Sequence, residues 1–103
     1  MYIAMNRFRV NEGHEQVFEE IWRNRNSYLH EVPGFKTFNL LRGATQDGIT
    51  LFISHSTWAS RDAFVAWTES EAFRKAHQNA GQHRDLYLGG PNFEGFDVIQ
   101  TVK

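Results

Sequence analysis

The sequence predicts a single α+β domain, residues 1–103, with its elements in the order strand, helix, two strands, helix, strand. The prediction depends on hydrophobic alternation in residues 2–10, helical spacing in two later segments, and β-branched and aromatic residues in the others. A chain of 103 residues fits one domain and leaves no room for a second core. The element order is that of the ferredoxin-like βαββαβ arrangement.

The first predicted strand covers residues 2–10. Alternate residues share one face of a strand, and here one face is apolar except at its centre. That face consists of Tyr2, Ala4, Asn6, Phe8 and Val10. We therefore expect this face to pack against the helices.

A long amphipathic helix is predicted after the first strand. Asn11 is a favourable N-cap, and apolar residues recur at helical spacing until Pro33-Gly34 ends the pattern. Residues 35–41 and 49–58 then predict a β-hairpin, with Asp47-Gly48 in the loop between the strands.

The second helical region is predicted to begin after Ser60 and to be broken near residues 68–70. Thr68 and Glu71 resemble a capping box that starts a second helical piece, which runs through His77 and ends before Gly81. Residues 93–102 predict the last strand. The helices of such a domain cover one face of the sheet, so we expect two copies to pair through the other face as a dimeric α+β barrel.

Composition excludes several classes of function. Apolar residues make up 41% and aromatic residues 15%, which is typical of a globular protein. The formal net charge is −1 and the basic residues are scattered, so we expect no nucleic-acid partner. The sequence has neither a membrane-spanning stretch nor the pattern of a signal peptide, so we expect no membrane partner and a cytoplasmic location.

Metal chemistry in this chain would depend on its five histidines, because cysteine is absent. His14, His30, His55, His77 and His83 show no HxH, HxxxH or HExxH spacing. A site with several protein ligands is therefore disfavoured. Haem suits a single histidine better, since the porphyrin supplies four of the iron ligands.

Three residues have both a structural and a functional interpretation. The Asn6 amide is either satisfied by neighbouring backbone or faces a ligand cavity. His77 ends a helical segment, where it either complements the helix dipole or reaches a metal. Trp67 shares a helix face with Phe64, and core packing is the usual role of such a residue.

Three segments together resemble the IsdG-type haem-degrading monooxygenases of the wider antibiotic biosynthesis monooxygenase superfamily. They are AMNRFRVNEG at 4–13, PGF at 33–35 and TWASRDAFVAWTESEAFRKAH at 57–77. The most specific features are an asparagine on the first strand, a W-x-S-x-x-A-F-x-x-W segment, and a following A-F-x-x-A-H.

The resemblance implies a role for each matching residue. His77 would be the proximal ligand of haem iron, Asn6 would hydrogen-bond the ligand on the distal side of the iron, and Trp67 would press on the porphyrin and distort it. Arg25 matches a basic position that would meet a haem propionate. Trp22, Phe64 and Phe73 complete the expected haem-contacting set.

The resemblance also implies a dimer with one haem per subunit, in which haem is both substrate and oxygen-activating cofactor. No flavin or nicotinamide fingerprint is present, so we expect O2 to be used with electrons from a separate reductase or reductant. Two alternatives remain open. One is a cofactor-free monooxygenase acting on an aromatic or quinol substrate, and the other is a non-enzymatic haem-binding protein.

Overall fold

The computed structural model describes residues 1–25, 28–71, 73–74 and 86–103. Its regular elements in this part of the chain are β1 (Tyr2–Asn11), α1 (Glu15–Asn24), β2 (Phe35–Gln46), β3 (Ile49–Trp58), α2 (Arg61–Thr68) and β4 (Asn92–Asp97). The strands form one antiparallel sheet in the order β2-β3-β1-β4. The predicted ferredoxin-like arrangement is confirmed.

The β2–β3 hairpin has the turn that its sequence predicts. Asp47 and Gly48 both have positive φ, 56° and 79°, as a two-residue turn of type I′ requires. The strand before the turn is longer than expected, because β2 continues to Gln46.

The predicted N-cap of the first helix is wrong. Asn11 is the last residue of β1 and pairs with Ile49, and a turn through Gly13 precedes the helix. The helix start is held instead by Glu15, whose carboxylate accepts hydrogen bonds from the Gly13 N–H at 2.8 Å and the Thr50 hydroxyl at 2.6 Å. These two bonds fix α1 to the sheet.

The first helix is also shorter than predicted. It ends at Asn24, and a separate 3-10 turn covers Leu29–Glu31. Tyr28 adopts a left-handed conformation with φ 58°, which an uninterrupted α-helix does not allow. Leu29 is buried through this turn rather than through α1.

The predicted break in the second helical region is confirmed, but its cap is not Thr68. Ser60 caps α2 as predicted, accepting from the Ala63 N–H at 3.1 Å. The Thr68 hydroxyl donates back to the Val65 carbonyl at 2.7 Å. Ser70 supplies the second cap by accepting from the Phe73 N–H at 3.2 Å, and helical backbone resumes at residue 71.

The last strand is shorter than predicted, since β4 ends at Asp97. Beyond it Ile99 and Val102 are 95% and 85% exposed. Apolar residues continue beyond Asp97, and for this reason the sequence predicted a strand that runs to residue 102. Among the described residues, no helix has both the length and the apolar character needed to span a bilayer.

The core between the sheet and the helices is divided into two clusters. The first is built on Tyr2, Ala4, Leu29 and Trp58. The second is built on Val10, Phe18 and Phe52. Both clusters use the helix-facing side of β1, which confirms the predicted buried face.

The opposite face of the sheet has no helix on it among the described elements. Strand register brings several apolar side chains to this face, among them those of Ile3, Leu41, Ile53 and Phe96. Leu41 and Phe96 are 42% and 46% exposed in the single chain. This face is therefore partly apolar in the monomer, and it also carries the ion pair between Arg7 and Glu94.

Candidate active site

A cavity of about 660 Å³ lies between the sheet and the helices, and its walls include members of both core clusters. Its volume is in the range of small-molecule sites. Six of the seven residues expected to contact a ligand line it, namely Asn6, Trp22, Arg25, Phe64, Trp67 and Phe73. The fold thus brings together residues that lie far apart in the sequence.

Asn6 lies in the cavity wall at the centre of the sheet. It pairs with Ser54 on β3 and with Phe93 on β4. In the described part of the chain, no hydrogen bond to the Asn6 side chain is formed. The Asn6 side chain therefore borders the cavity, and its role toward a ligand stays a prediction.

Trp22 forms the α1 side of the cavity within an aromatic group. Its ring stacks on Phe38 with centroids 5.7 Å apart and meets the edge of Phe8 at 5.6 Å. The guanidinium carbon of Arg25 lies 4.2 Å from the Trp22 ring centroid, within cation–π distance. Arg25 is positioned for this contact because it directly follows the last turn of α1.

Arg25 brings a positive charge to the cavity wall. Burial lowers the pKa of Arg25 from its ordinary value, and burial raises the pKa of the neighbouring Tyr87 phenol. An arginine remains charged despite such a shift. Among the described residues, three ion pairs are formed and Arg25 belongs to none of them. The cation is therefore available to an acidic ligand.

The α2 side of the cavity is an aromatic cluster around Trp67. Its ring lies 5.3 Å from that of Trp58, 6.1 Å from Phe64 and 4.9 Å from Phe73 between centroids. Phe64 also stacks on Phe93 of β4 at 5.5 Å and 7°. These contacts hold Trp67 in one position at the cavity edge, so it fulfils the packing role and lines the cavity at the same time.

His77, the seventh expected residue, lies outside the described residues. Its role as an iron ligand remains a prediction from the resemblance.

The cavity contains residues that sequence reasoning did not select, above all Ser54, Phe38, Tyr87 and Phe93. Ser54 gives a weaker sequence signal than Asn6, because Thr50 and Ser56 share its face of β3. Tyr87 reaches the cavity through an isolated bridge to Val10, which no local pattern indicates.

The arrangement suits a flat, apolar molecule that carries acidic groups. Half of the lining residues are aromatic, a cation lies at one side, and on the sheet lies an amide with no hydrogen-bond partner among the described residues. An amide of this kind donates a hydrogen bond without offering an acidic proton.

Comparison with known proteins identifies the relationship. Residues 1–79 match the family model described as antibiotic biosynthesis monooxygenase. A heme-degrading monooxygenase from Shouchella clausii is 31% identical over 102 residues, which cover 95% of this chain and 90% of the relative.

Two solved structures share the fold over nearly the whole chain. The heme-degrader MhuD from Mycobacterium tuberculosis, with two hemes bound in its active site, is 25% identical with a TM-score of 0.75 and full coverage of both chains. SnoaB, a cofactor-independent oxygenase from Streptomyces nogalater, is 21% identical with a TM-score of 0.68, covering 98% of this chain and 96% of its own. The family match and the curated relative together show that the chain belongs to the antibiotic biosynthesis monooxygenase family.

Proposed function

We propose that this protein binds haem in the cavity between sheet and helices and degrades it with O2. The observation that carries the proposal is the cavity itself, which gathers six of the expected haem-contacting residues. The 31% identity to a heme-degrading monooxygenase supports the same assignment.

The residues of the cavity fit haem by their chemistry. Haem is a flat apolar ring with two carboxylates at one edge, and the cavity offers aromatic walls together with the guanidinium of Arg25, which forms no ion pair with the described residues. The volume of about 660 Å³ is in the range of small-molecule sites. When bound, haem supplies an iron that activates O2 and the ring that is oxidised.

Each residue has a distinct task in this proposal. His77 would bind the iron, and Arg25 would hold a carboxylate of the ring by a charge-assisted hydrogen bond. Asn6 would donate its amide N–H to a small ligand in the cavity and orient it without protonating it. Trp67 packs against Trp58, Phe64 and Phe73, so it would press on the ring from a fixed position.

The electrons come from a separate reductase or reductant. The sequence has no flavin or nicotinamide fingerprint that would supply them within the chain.

Aerobic turnover tests the proposed reaction. Haem-loaded protein receives ascorbate in air, with catalase present to remove free peroxide. We expect the haem absorbance to decay into a bilin-type spectrum with release of iron that a ferrous chelator detects. A stable haem spectrum with both ascorbate and a reductase system would contradict degradation and favour a haem-binding protein without enzymatic activity.

The open face of the sheet is proposed to pair with a second copy of this chain. Ile3, Leu41, Ile53 and Phe96 form an apolar surface there that a dimer would cover. We expect the mass of a dimer in sedimentation at micromolar protein, and that of a monomer after Ile53→Lys. A monomeric native chain would contradict the barrel.

A further inference from the structure

The helix-facing side of β3 carries three hydroxyl residues, and one of them differs from the others. Thr50 donates to the Glu15 carboxylate at 2.6 Å. Ser56 accepts from the Trp58 indole N–H at 2.9 Å. Ser54 is only 7% exposed, and within the described part of the chain its hydroxyl forms no hydrogen bond. Thr50 and Ser56 thus have structural roles that Ser54 lacks.

Ser54 lies directly beside Asn6 on the neighbouring strand. The two residues are partners in the β1–β3 register, and both line the cavity. Side chains of directly opposed residues on one face start about 5 Å apart at their Cβ atoms. The amide of Asn6 and the hydroxyl of Ser54 can therefore contact one small group placed between them. They form one polar spot on the sheet side of a cavity whose lining is largely apolar.

Ser54 lines the cavity, and its hydroxyl makes no hydrogen bond within the described part of the chain. Its capacity to donate and to accept a hydrogen bond is therefore directed to whatever occupies the cavity. Because the Ser54 side chain borders the cavity, a ligand is the partner within reach.

We propose that Ser54 is a second hydrogen-bonding residue of the active site, which together with Asn6 binds one small polar ligand in the cavity. This inference rests on the proposed haem-binding function for the location of that ligand. The Asn6 amide donates through its NH2 group, and the Ser54 hydroxyl donates or accepts as the ligand requires. Two groups fix the direction of a bound diatomic or triatomic ligand better than one.

Azide binding to the ferric haem-loaded protein tests the proposal, because azide is a small anion that binds haem iron. We expect Ser54→Ala to weaken azide binding about tenfold, the size of a lost hydrogen bond to a charged ligand, while haem affinity stays unchanged. The C–O stretching frequency of the ferrous carbon monoxide complex gives a second readout, which we expect to shift in the same variant.

Two variants of nearly equal shape distinguish the effect of the hydroxyl from the effect of side-chain volume. Ser54→Thr keeps the hydroxyl and Ser54→Val replaces it with a methyl group, so we expect the threonine variant to bind azide at least tenfold more tightly than the valine variant. This comparison remains valid if the alanine variant does not fold.

Thr50→Val is the matched control, since it removes a hydroxyl from the same strand that is already bonded to Glu15 and lies outside the cavity lining. We expect it to lower the melting temperature without shifting the C–O frequency. Equal azide affinities and C–O frequencies in native, Ser54→Ala and Ser54→Val proteins that all bind haem would overturn this inference alone. Failure of the native protein to bind haem would overturn the proposed function and this inference with it.

Discussion

Replacing Arg25 with leucine tests how the cavity recognises an acidic ligand. Arg25 lies over the Trp22 ring at 4.2 Å and belongs to none of the three ion pairs of the described residues. If its charge holds a haem carboxylate, the variant loses that interaction but keeps the α1 backbone. The Arg25 N–H donates to the Trp22 carbonyl from the backbone, and the substitution leaves this bond in place.

The expected loss follows from the surroundings of Arg25. A hydrogen bond to a charged group contributes about 1.5–3 kcal/mol, and Arg25 is only partly buried, so we take the lower value. About 1.4 kcal/mol corresponds to tenfold in a dissociation constant. We therefore expect Arg25→Leu to raise the Kd for haem about tenfold.

The assay is an equilibrium titration with haemin followed by quenching of tryptophan fluorescence. Arg61→Leu is the matched control, because Arg61 is an exposed arginine at the start of α2 and outside the cavity lining. Haemin dimethyl ester, which lacks the carboxylate charges, provides a second comparison and should bind the native protein and Arg25→Leu equally. The proposed contact between Arg25 and a haem carboxylate is refuted if Arg25→Leu binds haemin as tightly as the native protein does. It is also refuted if the substitution weakens binding of the ester as much as binding of haemin.

Four further changes test other parts of the account. His77→Ala should abolish the haem Soret band and turnover, and a retained band would remove His77 as the iron ligand. Trp67→Ala should keep haem binding but lower turnover, because its proposed task begins after the iron is bound; unchanged turnover would contradict that task. Phe18→Ala should lower the free energy of unfolding by about 3–5 kcal/mol, since Phe18 is fully buried against Phe52; a loss below about 1 kcal/mol in urea would contradict this packing. Hydrogen bonding, first from the Thr50 hydroxyl, lowers the pKa of Glu15 from its ordinary 4.5. The native melting temperature should therefore exceed that of Glu15→Gln above pH 4.5, and the difference should vanish as the pH falls through the lowered pKa; a difference independent of pH would contradict it.

The order of elements could be predicted from the sequence because hydrophobic periodicity is local. The strand face at Tyr2 to Val10 and the turn at Asp47-Gly48 are both determined by neighbouring residues. The ends of helices and strands were less predictable, because a residue at such a position can either cap a helix or pair with a neighbouring strand. Asn11 has the preferences of an N-cap, yet pairing with Ile49 extends β1 through it and moves the helix start to Glu15.

The candidate site was predictable where a residue violates its local pattern. Asn6 stands out on an apolar face, and the structure brings it to the cavity. Ser54 does not stand out in this way, because Thr50 and Ser56 share its face of β3, and it becomes informative only once the register pairs it with Asn6. Tyr87 carries no local signal at all, because its position depends on a single bridge to Val10.

The most direct test of the central claim is a haemin titration of the native protein followed by its Soret absorbance. We expect a saturable band at one haem per chain with the spectrum of histidine-ligated iron. A haemin spectrum that the protein leaves unchanged would contradict haem binding, and would assign the aromatic cavity to a substrate oxidised without a cofactor.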